Sequence, residues 1–152
     1  MSQFLNHMEL HDQFETMIRN AEKDIIIITP VLKLNRKIQQ LLEIKNKSNL
    51  RICIVHALSR LNSAQVAFLE HLKNVHNNVY PQLHASLYLS EKECIIGGLN
   101  LHEFYTQEKG AVGVLLNSKR DLASYQSAYN ESQKIIKSST HVTITYVRTF
   151  AQ

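Results

Sequence analysis

A chain of 152 residues, 44% of them hydrophobic and only two of them proline, is long enough to bury one core and too apolar for a disordered protein. Seventeen basic against thirteen acidic residues give a net charge of +4, which suits a polyanionic partner without requiring one. No apolar run is long enough to cross a bilayer, and residues 1–12 lack the basic and apolar regions of a signal peptide. We therefore expect one domain over residues 1–152, in the cytoplasm and without a membrane partner.

The first half of the chain alternates helical and strand-like patterns. Apolar residues every three or four positions indicate helices, and short β-branched runs indicate buried strands. The predicted elements are a helix Leu10–Ala21, a strand Asp24–Thr29 ended by Pro30, a helix Leu34–Lys47, a strand Leu50–Leu58 and a helix capped by Ser63.

The second half is richer in strands. Its predicted elements are strands Val79–Leu83, His84–Leu89, Glu93–Gly98 and Gly110–Leu116, a helix Asp121–Lys137 and a strand Val142–Val147. Strands separated by helices favour an α/β fold in which a mixed β-sheet is sandwiched between helices.

Several residue types with known chemistry have simpler structural roles here. Cys53 and Cys94 both lie in apolar strand-like runs, so we expect two reduced, buried thiols rather than a disulfide or a metal site. The histidines outside residues 83–100 show no metal-ligand spacing. Tyr125 and Tyr129 are four residues apart on a predicted helix, which favours packing over a base-stacking role.

The segment from residue 83 to residue 100 has the strongest functional pattern. His84 lies in an alternating apolar stretch, and successive side chains of a strand point to opposite faces, so His84 and Ser86 are predicted to share a face. A turn at Glu91–Lys92 would return the chain antiparallel and bring Asn100 near the level of His84. The sequence thus predicts that an imidazole and a carboxamide meet at one point.

This segment resembles the signature of the phospholipase D superfamily, H-x-K-x4-D followed by G-(S/G/T)-x-N and a later glutamate. His84 matches the histidine, Gly98 the small residue, Asn100 the asparagine and Glu108 the glutamate. The similarity extends over nearly the whole chain, including the helix and strand around Asp24.

The resemblance implies a chemistry for these residues. In the family the histidine attacks the phosphorus of a phosphodiester to form a phosphohistidine, and a second histidine protonates the leaving oxygen. Lysine and asparagine donors stabilise the charge on the equatorial oxygens, and the glutamate orients a histidine. For this chain the implied catalytic residues are His84, Asn100 and Glu108, with Ser86 and Gly98 beside the substrate. No metal ion or other cofactor is implied.

Two positions depart from the signature. Ser86 replaces the lysine, keeping a donor but losing the cation, and one preorganised contact of this kind is worth on the order of a hundredfold in rate. Lys33 or Lys109 could supply a cation from elsewhere. Glu91 replaces the aspartate, whose part in the family is to support the local structure.

Because the family reaction uses two histidines and this chain has one copy of the motif, we expect a homodimer with one composite cleft. Two functions remain open. The first is a metal-independent, nuclease-like phosphodiesterase, which the retained His84, Asn100 and Glu108 favour. The second, favoured by Ser86, is a catalytically inactive module that binds nucleic acid or a protein partner.

Overall fold

A computed structural model describes residues 1–59, 61–97 and 110–142 of the chain. Four helices and eight strands lie in these ranges. The helices are α1 (His7–Asn20), α2 (Arg36–Lys47), α3 (Ser63–His71) and α4 (Leu122–Ser138). The strands are β1 (Gln3–Leu5), β2 (Asp24–Leu32), β3 (Arg51–Ser59), β4 (Val75–Val79), β5 (Leu87–Ser90), β6 (Glu93–Gly97), β7 (Gly113–Asn117) and β8 (Thr140–His141).

The described strands form one mixed sheet with the order β1-β7-β6-β5-β2-β3-β4-β8. β2, β3 and β4 are parallel, and α2 and α3 provide the crossovers that parallel neighbours require. The other pairs are antiparallel. The carboxyl ends of β2, β3, β4 and β6 therefore share one edge of the sheet with the amino ends of β5 and β7.

Helices cover both faces of the sheet, as predicted. Ile25 and Ile27 of β2 belong to a core cluster that includes residues of α1, α2 and α3. Ile26 and Ile28 face the other way, into a cluster that includes Tyr125 of α4. A strand buried on both faces reads as a continuous apolar run, which is why β2 was recognisable in the sequence.

β2 runs through Pro30 to Leu32, so the prediction that Pro30 ends the strand is wrong. Pairing with β5 stops at Ile28, whereas pairing with β3 includes Val31. At Pro30 the strand therefore has a described neighbour on one side only. A strand tolerates the missing N–H of proline where one of its sides is unpaired.

The fourth strand is Val75–Val79, and the predicted strand Val79–Leu83 is wrong beyond its first residue. Polar residues in the middle of β4 hide the alternation of apolar and polar side chains that predicts a strand. Asn77 is buried on the same face as the two valines, because its Oδ1 lies 3.0 Å from Nε2 of His56 in β3. The three-residue strand β1 was not predicted, since so short a segment shows no period.

Side-chain caps set the beginnings of α1 and α3. Asn6 accepts a bond from the backbone N–H of Glu9 at 2.9 Å, and Glu9 accepts one from Asn6 at 3.0 Å. This capping box starts α1 three residues before the predicted helix. Asn62 caps α3 in the same way with Gln65, so Ser63 is the first helical residue rather than the cap.

The other predicted elements lie within three residues of the observed bounds. The predicted strand Val142–Val147 lies outside the described residues after Val142.

Two predictions about buried groups are confirmed. Cys53 and Cys94 are unpaired and buried, and burial raises the pKa of their thiols to about 11 and about 12. Tyr125 and Tyr129 stack at 6.5 Å within the α4 layer, where the hydroxyl of Tyr125 donates to the carbonyl of Ser90 at 2.5 Å.

Two glycines of adjacent strands offer a matched stability test. A Cβ on Gly113 would lie 2.6 Å from Cδ2 of Leu10 and 2.9 Å from the backbone oxygen of Ile96. Gly113→Ala should therefore lower the free energy of unfolding by about 1–3 kcal/mol, since the backbone contact cannot relax cheaply. A Cβ on Gly97 would meet nothing nearer than 3.5 Å. Gly97→Ala should change stability by less than about 0.5 kcal/mol in the same urea titration. Equal losses in the two variants would contradict this packing.

Candidate active site

His84 lies on the connection between β4 and β5. These strands are not neighbours, because β2 and β3 lie between them, so residues 80–86 must pass the carboxyl ends of both strands. The loop is held at its start by the N–H of Tyr80, which donates to the carbonyl of His56 at 2.8 Å, and Leu83 is buried. The His84 side chain is exposed, and Ser86 is half-buried.

The prediction that His84 lies within a strand is wrong. β5 begins at Leu87, the first residue to pair with both neighbouring strands, through Ile28 and Ile96. The predicted alternation holds inside β5, where Tyr88 faces α1 and Leu87 and Leu89 face α4. His84 is consequently a loop residue at the sheet edge rather than a strand residue held at a register position.

The antiparallel return of the chain is as predicted. The turn at Glu91–Lys92 joins β5 to β6, and the N–H of Gly97 donates to the carbonyl of Ser86 at 3.4 Å. The end of β6 thus reaches the His84 loop. The other predicted site residues, Gly98, Asn100 and Glu108, together with Lys109, lie outside the described residues.

Basic side chains flank this edge next to β5. Lys33 directly follows β2 and Arg36 opens α2; both are exposed, and neither forms an ion pair with another described residue. Lys37, by contrast, lies 2.9 Å from Glu15. The first turn of α2 contains no acidic residue, so the positive end of its dipole adds to the same potential. Lys33, Arg36 and the amino end of α2 therefore place positive charge along this side of the described edge.

A buried histidine near this edge escaped the sequence analysis. His56 of β3 is 1% exposed, and burial lowers the pKa of its imidazole to about 4, although the bond to Oδ1 of Asn77 opposes this shift. His56 is therefore neutral at pH 7. The alternation Ile52, Ile54, His56 could have placed it on the buried face. Its burial makes it part of the core rather than a group that meets substrate.

Glu91 ties the β5–β6 turn to the beginning of β2 at the opposite edge. Its Oε1 accepts bonds from the backbone N–H groups of Glu22, Lys23 and Asp24 at 3.1, 2.9 and 3.2 Å. Oε2 accepts a further bond from Glu22 at 3.1 Å. Burial raises the pKa of this carboxyl, but the backbone bonds together lower it, and the net direction is down. The described residues include no cluster of three or more His, Cys, Asp or Glu side chains able to hold a metal ion.

No protein-family model matches the sequence, and no curated protein matches it either. Solved structures do match the fold. NucT from Helicobacter pylori superposes with a TM-score of 0.77 at 11% identity, over 93% of this chain and 99% of that one. Nuc from Salmonella typhimurium, a phospholipase D family member, gives 0.73 at 14% identity, over 94% and 98%. The chain has the phospholipase D-like fold.

A third matching structure is part of a longer chain. TrmBL2, an archaeal chromatin protein, gives a TM-score of 0.66 at 11% identity, over 93% of this chain and 55% of that one. That protein shows a novel mode of DNA binding. No helix in the described part of our chain combines the length and apolar character needed to span a bilayer.

The contacts of Glu91 give this residue a structural role. Backbone donors need a carboxylate within reach, and the side chain of Glu91 provides one. The carboxylate therefore supports the β5–β6 turn.

The pH dependence of stability tests the role of Glu91. Its folded-state pKa lies below the ordinary 4.5, so the ionised carboxylate stabilises the fold above about pH 4.5, and this contribution disappears as pH falls through the lowered pKa. Glu91→Gln should cost about 1 kcal/mol at pH 7, a modest loss because the group is half-exposed. The difference in unfolding free energy between Glu91→Gln and wild type, measured by urea unfolding between pH 3 and pH 7, should become smaller towards pH 3.

Glu93 provides the control for this measurement. Burial raises the pKa of its carboxyl, and a bond from Gln13 opposes this rise. The ionised form is therefore disfavoured in the fold, and the difference between Glu93→Gln and wild type should move in the opposite direction as pH rises. Parallel pH curves for the two variants would contradict the assignment.

Proposed function

We propose that this chain is a metal-independent phosphodiesterase that cleaves nucleic acid through a phosphohistidine at His84. The observation that carries the proposal is the exposed imidazole on the loop across the carboxyl edge, with the end of β6 bonded to Ser86 beside it. Two matches of nearly the same length support it, one of which is a phospholipase D family member. The DNA binding described for TrmBL2 supports a nucleic-acid substrate.

The proposed reaction has two displacements. An imidazole nitrogen of His84 attacks phosphorus, and the bond from phosphorus to the leaving oxygen breaks as a second imidazole donates a proton to that oxygen. The second imidazole, now neutral, takes a proton from water, whose oxygen attacks the phosphohistidine and releases His84. Asn100 donates to the equatorial oxygens, and Glu108 orients a histidine. Gly98 and Ser86 lie against the phosphate.

Ser86 makes this a slow site. A serine hydroxyl donates one hydrogen bond but carries no charge, and the developing negative charge of the transition state needs a preorganised cation. Lys33 and Arg36 provide positive potential along the same edge. This potential attracts a polyanion as a whole and contributes less to stabilising a single reacting phosphate. A nucleic acid, with a charge at every nucleotide, gains most from such an edge.

The second imidazole in this proposal is His84 of the partner subunit. A two-fold axis through the cleft would bring the two imidazoles together, so that one homodimer contains one site. The alternative function is a catalytically inactive module that binds nucleic acid or a protein partner. The observation that favours it is Ser86, since the missing cation impairs cleavage more than it impairs binding.

His84→Ala should abolish cleavage of a fluorescent single- or double-stranded DNA oligonucleotide, because it removes the nucleophile, and EDTA should leave the wild-type rate unchanged. Ser86→Lys should raise the rate about a hundredfold by restoring the charged contact. Denaturing gels of time courses in EDTA measure both effects.

Two control variants make the same kinds of substitution at positions away from the proposed site. His71→Ala removes an exposed histidine from the end of α3, and Ser48→Lys adds a cation at the opposite edge. Both should cleave at the wild-type rate. If both wild type and Ser86→Lys bind the oligonucleotide without cleaving it, the proposal of an enzyme is wrong and the binding module is favoured. Loss of activity in EDTA would contradict the mechanism.

The dimer is tested by mixing subunits. Sedimentation equilibrium should give about twice 17.5 kDa at micromolar concentration. Wild type and His84→Ala, unfolded together in equal amounts and refolded, should retain about a quarter of the activity of wild type at the same total concentration, because a cleft needs both histidines. Independent sites would retain about half. A monomeric protein, or retention of half of the wild-type activity in the mixture, would contradict the composite site.

A further inference from the structure

A concave region lies on the α4 face of the sheet, at the corner formed by β3, β4 and β8. It is a cavity of about 500 Å³ between these strands and the second half of α4, within the size range of small-molecule sites. Its lining residues are Arg51, Cys53, His76, Asn78, Gln133, Ile136 and His141. None of them belongs to the proposed active site.

The charge of this cavity favours an anion. No acidic side chain is among its lining residues, whereas Arg51 and two exposed histidines lie at its rim. Nε of Arg51 lies 3.5 Å from Oδ1 of Asp24, a contact longer than a usual hydrogen bond. The planar guanidinium of Arg51 offers the paired donors that a carboxylate or phosphate accepts.

The interior of the cavity supplies an apolar wall and a donor that lacks a partner. Cys53 of the sheet and Ile136 of α4 both line it. Nε2 of Gln133 is buried and has no hydrogen-bond partner within the described part of the chain. Burying an amide without a partner is unfavourable, so a bound group with an acceptor atom would remove this cost. Asn78 is already held in place by donating to Oγ of Ser139 at 2.8 Å.

We propose that this cavity is a binding site for a small organic anion with a planar apolar body. The anionic head binds the terminal nitrogens of Arg51, the body lies between Cys53 and Ile136, and an acceptor oxygen reaches the amide of Gln133. The inference does not depend on the proposed phosphodiesterase activity, because it uses no residue of the His84 loop.

Three probes with the same naphthalene body distinguish the contribution of charge to binding from the contribution of shape. The full chain, labelled with ¹⁵N, is titrated with 2-naphthoate, 2-naphthyl phosphate and uncharged 2-naphthylmethanol, and with inorganic phosphate as a head group without a body. At least one of the two anions should cause saturable shifts of the Gln133 side-chain amide and the Cys53 and Ile136 backbone amides, with a Kd of about 1 mM or below. The alcohol and inorganic phosphate should bind at least about tenfold more weakly. Whichever anion binds more tightly identifies the head group as carboxylate or phosphate.

Variants with equal changes of charge complete the test. Arg51→Gln should weaken binding about tenfold or more, whereas Lys134→Gln, which removes an exposed cation next to Gln133, should leave the Kd unchanged. Gln133→Leu keeps Arg51 and should weaken binding several-fold, so the proposal stays testable if Arg51→Gln fails to fold. Equal binding of all three naphthalenes, equal effects of Arg51→Gln and Lys134→Gln, or shifts centred on His84 instead of Gln133 would overturn the proposal.

Discussion

The pairing of β2 with two different partners is the constraint on which the rest of this structure depends. On one side β2 pairs in parallel with β3, and on the other it pairs antiparallel with β5. Because β4 lies beyond β3, the chain must travel from β4 across the ends of two strands before it can enter β5. The loop that makes this crossing carries His84, so the exposure of the imidazole is a consequence of strand order.

The polar side chains at the two edges of the sheet have different roles. At one edge Glu91 holds the β5–β6 turn against the start of β2 by accepting bonds from backbone N–H groups. Any carboxylate within reach of these donors could make the same bonds. At the other edge Ser86 lies where the proposed reaction places negative charge, and no neutral side chain replaces a cation in that position.

The two faces of the sheet also differ in how completely the helices cover them. α1, α2 and α3 bury one face, including the polar pair His56 and Asn77. Among the described helices, α4 alone covers part of the other face, and it leaves the cavity at the β3–β4–β8 corner. The carboxyl edge and this cavity are separate regions with different chemistry. Positive charge and an imidazole characterise the edge, whereas an apolar wall and an unpaired amide characterise the cavity.

The sequence by itself determined the layer architecture, because residues 25–28 and 52–55 can be continuous apolar runs only if both faces of their strands are covered. It also determined the β5–β6 turn, since this rests on local spacing, whereas the prediction of His84 as nucleophile rests on the family resemblance. Strand order, the crossing loop and the burial of His56 were decided by the tertiary structure, because each depends on residues distant in the chain. Pro30 shows the reason most clearly. Its effect on a strand depends on whether a neighbour needs its N–H, and that neighbour, β5, begins 57 residues later.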